Sequence, residues 1–196
     1  VPQAGEKGMK PVVIIVHEVR GITENLRLLA SLLESEGFSV LLPSLYGDKC
    51  AGSDGQASYD RFFREVGIEK ATEMIGEVIE SSASTGITLL GFSVGATIAW
   101  MHSRNGNVRS VVGFYGSRIR HFQEVEPLAD VDLFFCSERG FDAEGLIGRL
   151  NGKQNVTARL ISGEHGFYST LDFDSPEIRE ANRLILASLK NGLHRS

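Results

Sequence analysis

Ser93 has the surroundings most typical of a catalytic residue in this chain, because it lies in the pattern Gly-x-Ser-x-Gly at residues 91–95. An apolar, β-branched run from Ile87 to Leu90 precedes the pattern, and an apolar run of helical character follows it at once. This is the sequence form of a nucleophile elbow, a tight strand-to-helix turn that strains the serine and exposes its hydroxyl. Gly91 and Gly95 meet the need for small residues on either side. We therefore predict that Ser93 is a nucleophile; the alternative is an ordinary strand-to-helix turn without chemistry.

A nucleophilic serine needs a histidine base and a carboxylate that orients the histidine. Of the five histidines, only His165 is expected just beyond the carboxyl end of the last predicted strand, where the base of such a site belongs. The carboxylate should follow the preceding strand, and two candidates stand there. Glu138 is the preferred acid, whereas Asp142 is also placed to cap a helix predicted from Ala143. The choice between the two acids stays open from sequence.

The backbone beside the nucleophile should supply an oxyanion hole, the pair of N–H groups that stabilises a tetrahedral intermediate. One N–H comes from the residue after the nucleophile, Val94, and the other from the loop after the first strand, where Val19 is the predicted donor. Glu18 lies in the same loop, so its charge is expected near the nucleophile. Tyr46 and Tyr115 are predicted to line the substrate pocket, because they belong to the same edge of the sheet.

The elements that must position these residues alternate between strands and helices. Buried strands are predicted at residues 11–16, 38–42, 87–90, 109–114, 131–136 and 155–161. Helices are predicted between Thr23 and Gly37, at about 59–82 with a possible interruption at Gly67, after the elbow, at 143–150, and from Pro176 onward. This order predicts a three-layer, doubly wound and mostly parallel α/β sheet. Ligands bind such sheets at the carboxyl ends of the strands, where the candidate residues fall.

Composition limits the classes of partner. The 196 residues predict a single domain over 1–196, and the net charge of −5 with scattered Lys and Arg argues against nucleic acid or an acidic membrane as partner. No apolar run approaches the roughly 18 residues of a membrane span, and the first residues are unlike a signal peptide. Cys50 and Cys136 form neither a disulfide framework nor a metal-binding spacing. We therefore expect a cytoplasmic monomer or homodimer that needs no metal and no cofactor.

Four segments together resemble the dienelactone hydrolase family of α/β hydrolases. They are HEVRG at 17–21, LLPSLYG at 41–47, GFSVGA at 91–96 and EHGF at 164–167. Their order and spacing match the family over nearly the whole chain. The resemblance implies an α/β-hydrolase fold and a carboxylate, Glu18, that contacts the nucleophile in the resting enzyme. It also implies an oxyanion hole formed by the backbone N–H groups of Val19 and Val94.

The chain departs from the family at three places. The dienelactone hydrolases proper carry cysteine as nucleophile, whereas this chain has Ser93. The usual triad aspartate falls at or beside Arg139, which leaves Glu138 or Asp142 to serve. Tyr-Ser at 168–169 stands where the family has an arginine for the substrate carboxylate. Dienelactone itself is therefore not the expected substrate.

The predicted function is that of a serine hydrolase, which cleaves a carboxylic ester, lactone or thioester through an acyl-enzyme. The strands that end at Phe114 and begin at Val131 leave no space for a cap domain, so the site should be open to small or exposed esters. The alternative is a catalytically silent α/β-hydrolase domain that binds a ligand or a protein partner. The triad acid is not at the family's usual position, and a triad that has lost its function would show the same change. Nucleotide binding is disfavoured, because GFSVGA has neither the P-loop Lys-Ser/Thr nor the dinucleotide glycine spacing.

Overall fold

A six-stranded parallel sheet forms the centre of the computed structural model, which describes residues 10–47, 55–82, 84 and 86–194. The strand order is β2-β1-β3-β4-β5-β6. The strands are β1 Val12–Val16, β2 Ser39–Leu41, β3 Ile87–Phe92, β4 Val108–Phe114, β5 Asp130–Phe135 and β6 Val156–Leu160. All six predicted strands are confirmed, with ends that differ by one or two residues.

The described residues also form seven α-helices and two short 3-10 helices, His102–Arg104 and Ser117–His121. The α-helices are α1 Glu24–Ser35, α2 Gly55–Glu65, α3 Gly67–Ser81, α4 Val94–Met101, α5 Ala143–Leu150, α6 Phe167–Thr170 and α7 Pro176–His194. The helix predicted at 59–82 is two helices, because the chain bends at Val66 and continues through Gly67 with a positive φ of 75°. None of the described helices is both long and apolar enough to cross a lipid bilayer.

Helices cover both faces of the sheet, which explains why the inner strand β1 is a continuous apolar run. Along β1, Ile14 and Val16 pack into the core shared with α2 to α5, whereas Val13 and Ile15 pack into the core shared with α1, α6 and α7. Successive strand residues point to opposite faces, so a strand covered on both sides must be apolar at every position. The predicted three-layer, doubly wound architecture is therefore confirmed.

The chain changes direction at β1, and this change creates a crevice. From β1 it passes outward to β2, returns to pair β3 on the other side of β1, and then continues to β6. The loops after β1 and β3 consequently diverge at the carboxyl edge, which is where open α/β sheets bind ligands. Residues 17–21 and Ser93 lie at this switch point. Between β4 and β5 the chain has only the short 3-10 helix and a loop, which agrees with the absence of a cap domain there.

Candidate active site

Ser93 occupies a sharp turn between β3 and α4 with a φ of 52° and a ψ of −114°. Such a conformation costs a non-glycine residue on the order of 1–3 kcal/mol and persists only where the surroundings impose it. A Cβ on Gly91 would lie 2.3 Å from the carbonyl oxygen of Gly95, and a Cβ on Gly95 would lie 2.0 Å from that of Val16. The two glycines therefore allow β1, β3 and α4 to pack closely enough to form the turn.

His165 meets the hydroxyl of Ser93 across the crevice. It lies in the loop between β6 and α6, and its Nε2 is 2.8 Å from Oγ of Ser93. Gly166 follows with a positive φ of 82° and turns the chain into α6. The imidazole is 33% exposed, so water can reach it. This geometry allows the imidazole to accept the proton of the serine hydroxyl.

Glu138 contacts the other nitrogen of the same imidazole. Its Oε1 pairs with Nδ1 of His165, and the loop that carries it is folded by a hydrogen bond from the N–H of Phe141 to the Glu138 carbonyl. Asp142 instead accepts a hydrogen bond of 2.9 Å from the N–H of Gly145 and caps α5. Of the two acids that the sequence offers, the structure thus brings Glu138 to the histidine and places Asp142 at the helix terminus.

Glu18 lies beside these residues but has other partners. Its side chain is 3% exposed, and its Oε1 is 3.6 Å from Nε of Arg20. Burial raises the pKa of Glu18, and the Ser169 hydroxyl, His165 and Arg20 partly offset that rise. The family resemblance implies that this carboxylate contacts the nucleophile. In the structure the Ser93 hydroxyl pairs with His165, and Glu18 lines the same cavity as Ser93.

Val19 and Val94, the two predicted oxyanion donors, both lie on the wall of the cavity above Ser93. Val94 is the first residue of α4, and the N–H groups of a first helical turn have no intrahelical acceptor. Val19 belongs to a turn closed by a 2.9 Å hydrogen bond from the N–H of Gly21 to the carbonyl of Glu18. The two residues therefore stand where backbone N–H groups can face a reacting carbonyl.

The cavity over Ser93 has a volume of about 330 Å³, and charged side chains contribute to its wall. Three arginines contribute to it: Arg20 from the turn after β1, and Arg118 and Arg120 from the 3-10 helix after β4. Helix α2 supplies Gln56 and Tyr59. Sequence reasoning missed this contribution from α2, because the start of that helix follows a segment rich in Gly, Ser and Asp; the helical spacing of the aromatic residues from Tyr59 onward is the signal that was available.

Tyr46 and Tyr115 do not line the cavity as expected. Tyr46 is 8% exposed and donates its hydroxyl hydrogen to the carbonyl of Val19 at 2.6 Å. Tyr115 is 1% exposed, adopts a positive φ of 41°, and places its ring centroid 5.0 Å from that of His165. Both side chains turn into the protein and support the loops that carry site residues, rather than facing the substrate.

Groups for a metal ion are not assembled in the described part of the chain. No cluster of three or more His, Cys, Asp or Glu side chains there could hold a metal ion. Cys136 is a buried free thiol, and burial raises its pKa to about 12. Cys50 lies outside the described residues.

Comparisons with known proteins indicate the family of the chain. The model of the dienelactone hydrolase family matches residues 2–137. The uncharacterized YczH protein of Bacillus subtilis is 33% identical over 190 residues, which cover 93% of this chain and 92% of that protein. A carboxymethylenebutenolidase of Pseudomonas putida is 27% identical over 122 residues, 56% of this chain. That match spans only 52% of the length of the Pseudomonas protein.

Solved structures share the fold at low sequence identity. A carboxylesterase from Nitrososphaera gargenis superposes with a TM-score of 0.70 at 12% identity, over 95% of this chain and 92% of that one. A monoacylglycerol lipase from Paleococcus ferrophilus gives 0.68 at 16% identity, over 93% and 96%. These likenesses establish the α/β-hydrolase fold. Since the family model also covers more than half of the sequence, the chain belongs to the dienelactone hydrolase family.

Proposed function

We propose that this protein is a serine hydrolase that cleaves a small carboxylic ester, lactone or thioester through an acyl-enzyme. The observation that carries the proposal is the hydrogen-bonded series from Glu138 through His165 to Ser93, on a strained elbow below a cavity. A carboxylate, an imidazole and a hydroxyl in that order form the arrangement that activates a serine. The family and the carboxymethylenebutenolidases among its relatives support an ester bond as the target.

Acylation follows from the position of each group. Nε2 of His165 takes the hydroxyl proton while Oγ of Ser93 attacks the carbonyl carbon, and Glu138 stabilises the imidazolium through Nδ1–H. The N–H groups of Val19 and Val94 stabilise the oxyanion of the tetrahedral intermediate. When the intermediate collapses, its bond to the leaving group breaks, the leaving group takes the proton from Nε2, and the acyl group stays on Oγ.

Deacylation uses the same groups in reverse. His165 removes a proton from water, whose oxygen attacks the acyl carbon, and the second tetrahedral intermediate is stabilised by the same two N–H groups. Collapse breaks the bond to Oγ, which takes the proton back from His165, and the free acid leaves. Protons and electrons balance without a metal or a redox partner.

The cavity favours a small substrate that carries negative charge. Its volume of about 330 Å³ lies at the low end of the range for small-molecule sites. Arg20, Arg118 and Arg120 make the wall basic, and Glu18 is the acidic residue among the lining residues. These arginines are not at the position of the family's substrate-binding arginine, where Tyr168 and Ser169 stand. An anionic group of the substrate would therefore be bound from a direction other than the one that the family's arginine provides.

Fluorophosphonate labelling tests the proposal most directly. Intact-mass detection should find one adduct on the wild-type protein and none on Ser93→Ala, with labelling slowed by several orders of magnitude in His165→Ala. His102→Ala is the matched control, because Nε2 of His102 donates to the carbonyl of Thr72 in α3, and it should label at the wild-type rate. A wild-type protein that stays unlabelled after long incubation would overturn the proposal in favour of the silent, ligand-binding domain.

A further inference from the structure

His17 directly follows β1 inside the protein, where it is fully buried and hydrogen-bonded at both ring nitrogens. The N–H of Leu45 donates to Nε2 at 2.9 Å, so Nε2 is an acceptor and the ring proton must reside on Nδ1. Nδ1 then donates to the carbonyl of Glu18 at 2.7 Å. Burial lowers the pKa of His17 to about 4, which keeps the ring neutral and preserves this tautomer at neutral pH. The ring thus ties the loop after β1 to the loop after β2.

Tyr46 holds the next peptide of the same loop. Its hydroxyl donates to the carbonyl of Val19 at 2.6 Å, and its ring stacks on His17 with centroids 5.8 Å apart and planes 14° from parallel. The rings of Phe62 and Tyr46 pack in a T-shaped arrangement, and the guanidinium of Arg61 lies 4.9 Å from the centroid of the tyrosine ring. Burial also raises the pKa of Tyr46 to about 12. The hydroxyl therefore keeps its proton, and remains a donor, at neutral pH.

These hydrogen bonds decide which way the N–H of Val19 points. The carbonyl and the N–H of a trans peptide point in opposite directions, and the described chain contains no cis peptide. The Glu18 carbonyl is bound on the interior side by His17 and, across the turn, by the N–H of Gly21. The N–H of Val19 in that peptide must then face the other side, and Val19 is part of the cavity wall.

We infer that His17 and Tyr46 are positioning residues, which clamp two successive carbonyls of the loop after β1 and thereby fix the Val19 N–H in the oxyanion hole. The inference rests on the proposed function, because the N–H matters for rate only if an oxyanion forms beside Ser93. Neither side chain touches the substrate; each acts through the backbone of residues 18–20. A merely structural clamp would stabilise the fold without affecting the bound transition state.

Tyr46→Phe separates these two roles, since it removes only the hydroxyl that binds the Val19 carbonyl. Because misplacing or losing an oxyanion donor is costly, kcat should fall about 10- to 100-fold with KM within about twofold. Affinity for a trifluoromethyl ketone, which forms an anionic tetrahedral adduct on serine, should fall by the same factor. Tyr168→Phe is the matched control, because it deletes the hydroxyl that bonds Asn182 in another buried contact. It should lower thermal stability comparably without the loss of kcat.

His17 offers a rescue experiment. His17→Asn keeps an N–H where Nδ1 donates to the Glu18 carbonyl, whereas His17→Leu keeps bulk but no donor. Asparagine should retain at least tenfold more kcat than leucine. Equal kcat for the two variants at matched folding, or a loss confined to thermal stability in Tyr46→Phe, would overturn the inference.

Crystal structures of the wild type and Tyr46→Phe keep the inference testable if hydrolysis fails. A wild-type Val19 N–H that points away from the cavity overturns the inference, whatever the activity. The expected result is a Val19 N–H that faces the cavity in the wild type and a rotated peptide in the variant. Absence of a fluorophosphonate adduct with the peptide in that orientation would instead reject the proposed function alone.

Discussion

Glu138 reaches Nδ1 of His165 because the two residues follow neighbouring strands. β5 and β6 pair in parallel from Val131 with Val156 to Phe135 with Leu160, so their carboxyl-end loops leave the sheet side by side. The pairing brings a carboxylate from the first loop against an imidazole from the second. The resemblance places the family's aspartate at or beside Arg139, and Glu138 is the residue next to Arg139 in the chain.

Substitution of the two candidate acids should give opposite phenotypes. Glu138→Gln removes the charge that holds Nδ1–H and stabilises the imidazolium, so kcat should fall by about 10³–10⁴, as found when a triad carboxylate becomes an amide in serine proteases. Asp142→Asn should keep the wild-type kcat and at most weaken the helix cap, and Asp142→Ala should lower the free energy of unfolding by about 1 kcal/mol. Ester turnover and urea unfolding measure both effects. Loss of turnover in Asp142→Asn with a normal Glu138→Gln would reverse the assignment.

The glycines of the elbow should tolerate no methyl group. Gly95→Ala would place Cβ 2.0 Å from a backbone oxygen of β1, and backbone cannot move aside as a flexible side chain can. The variant should lose at least about 3 kcal/mol of unfolding free energy or fail to fold. Gly148→Ala in α5 is the control, because nothing lies within 4 Å of its added Cβ. It should be stabilised by about 0.5–1 kcal/mol in urea unfolding; equal effects of the two changes would contradict the packing argument.

Sequence patterns predicted the alternating strands, the elbow and the position of His165, because each depends on local spacing or on chain order. They did not predict where Tyr46 and Tyr115 point. Tyr115 follows β4 in a left-handed conformation with a φ of 41°, and Tyr46 is turned inward by its bond to the Val19 carbonyl. Both directions depend on loop conformations and on contacts between loops that are distant in sequence.

The choice between Glu138 and Asp142 had the same character. Both acids follow β5, and both could in principle reach the carboxyl edge of the sheet. Sequence indicated a role for Asp142 as the cap of α5 and favoured Glu138 because it lies two residues past the predicted strand, but whether either side chain faces His165 depends on the conformation of the loop. Tertiary packing between neighbouring loops was needed to decide.

Stability should depend on pH through His17. The unfolded chain protonates this histidine near pH 6.5, whereas burial lowers its pKa to about 4 in the folded protein. Between these values the unfolded state binds more protons, so the free energy of unfolding falls as the pH falls from 6.5 to 4. At about 1.4 kcal/mol per pKa unit, the total loss is on the order of 3 kcal/mol.

Urea unfolding of the wild type and His17→Asn between pH 4.5 and 7.5 isolates this effect. Other titrating groups contribute to both proteins and cancel in the difference, including Glu18, whose raised pKa acts in the opposite direction by favouring the folded state at low pH. The stability difference between wild type and variant should therefore shrink by about 2–3 kcal/mol on acidification. A difference that is constant with pH would show that the folded protein protonates His17 freely.

Arg118 should distinguish anionic from neutral esters. Its guanidinium stacks 4.3 Å from the centroid of Phe63 and hydrogen-bonds the hydroxyl of Tyr59, and these contacts hold the charge at the cavity wall. A charge-assisted hydrogen bond contributes about 1.5–3 kcal/mol, so Arg118→Ala should raise KM for an ester with a carboxylate in its acyl part by at least about tenfold. For a neutral ester of equal size, KM should change by less than about twofold. Added salt should weaken the binding of the anionic ester only. Arg149→Ala is the control, because Arg149 bonds Gln123 on another surface; it should change KM for neither ester. An equal rise in KM for both esters in Arg118→Ala would mean that Arg118 supports the cavity wall without recognising charge.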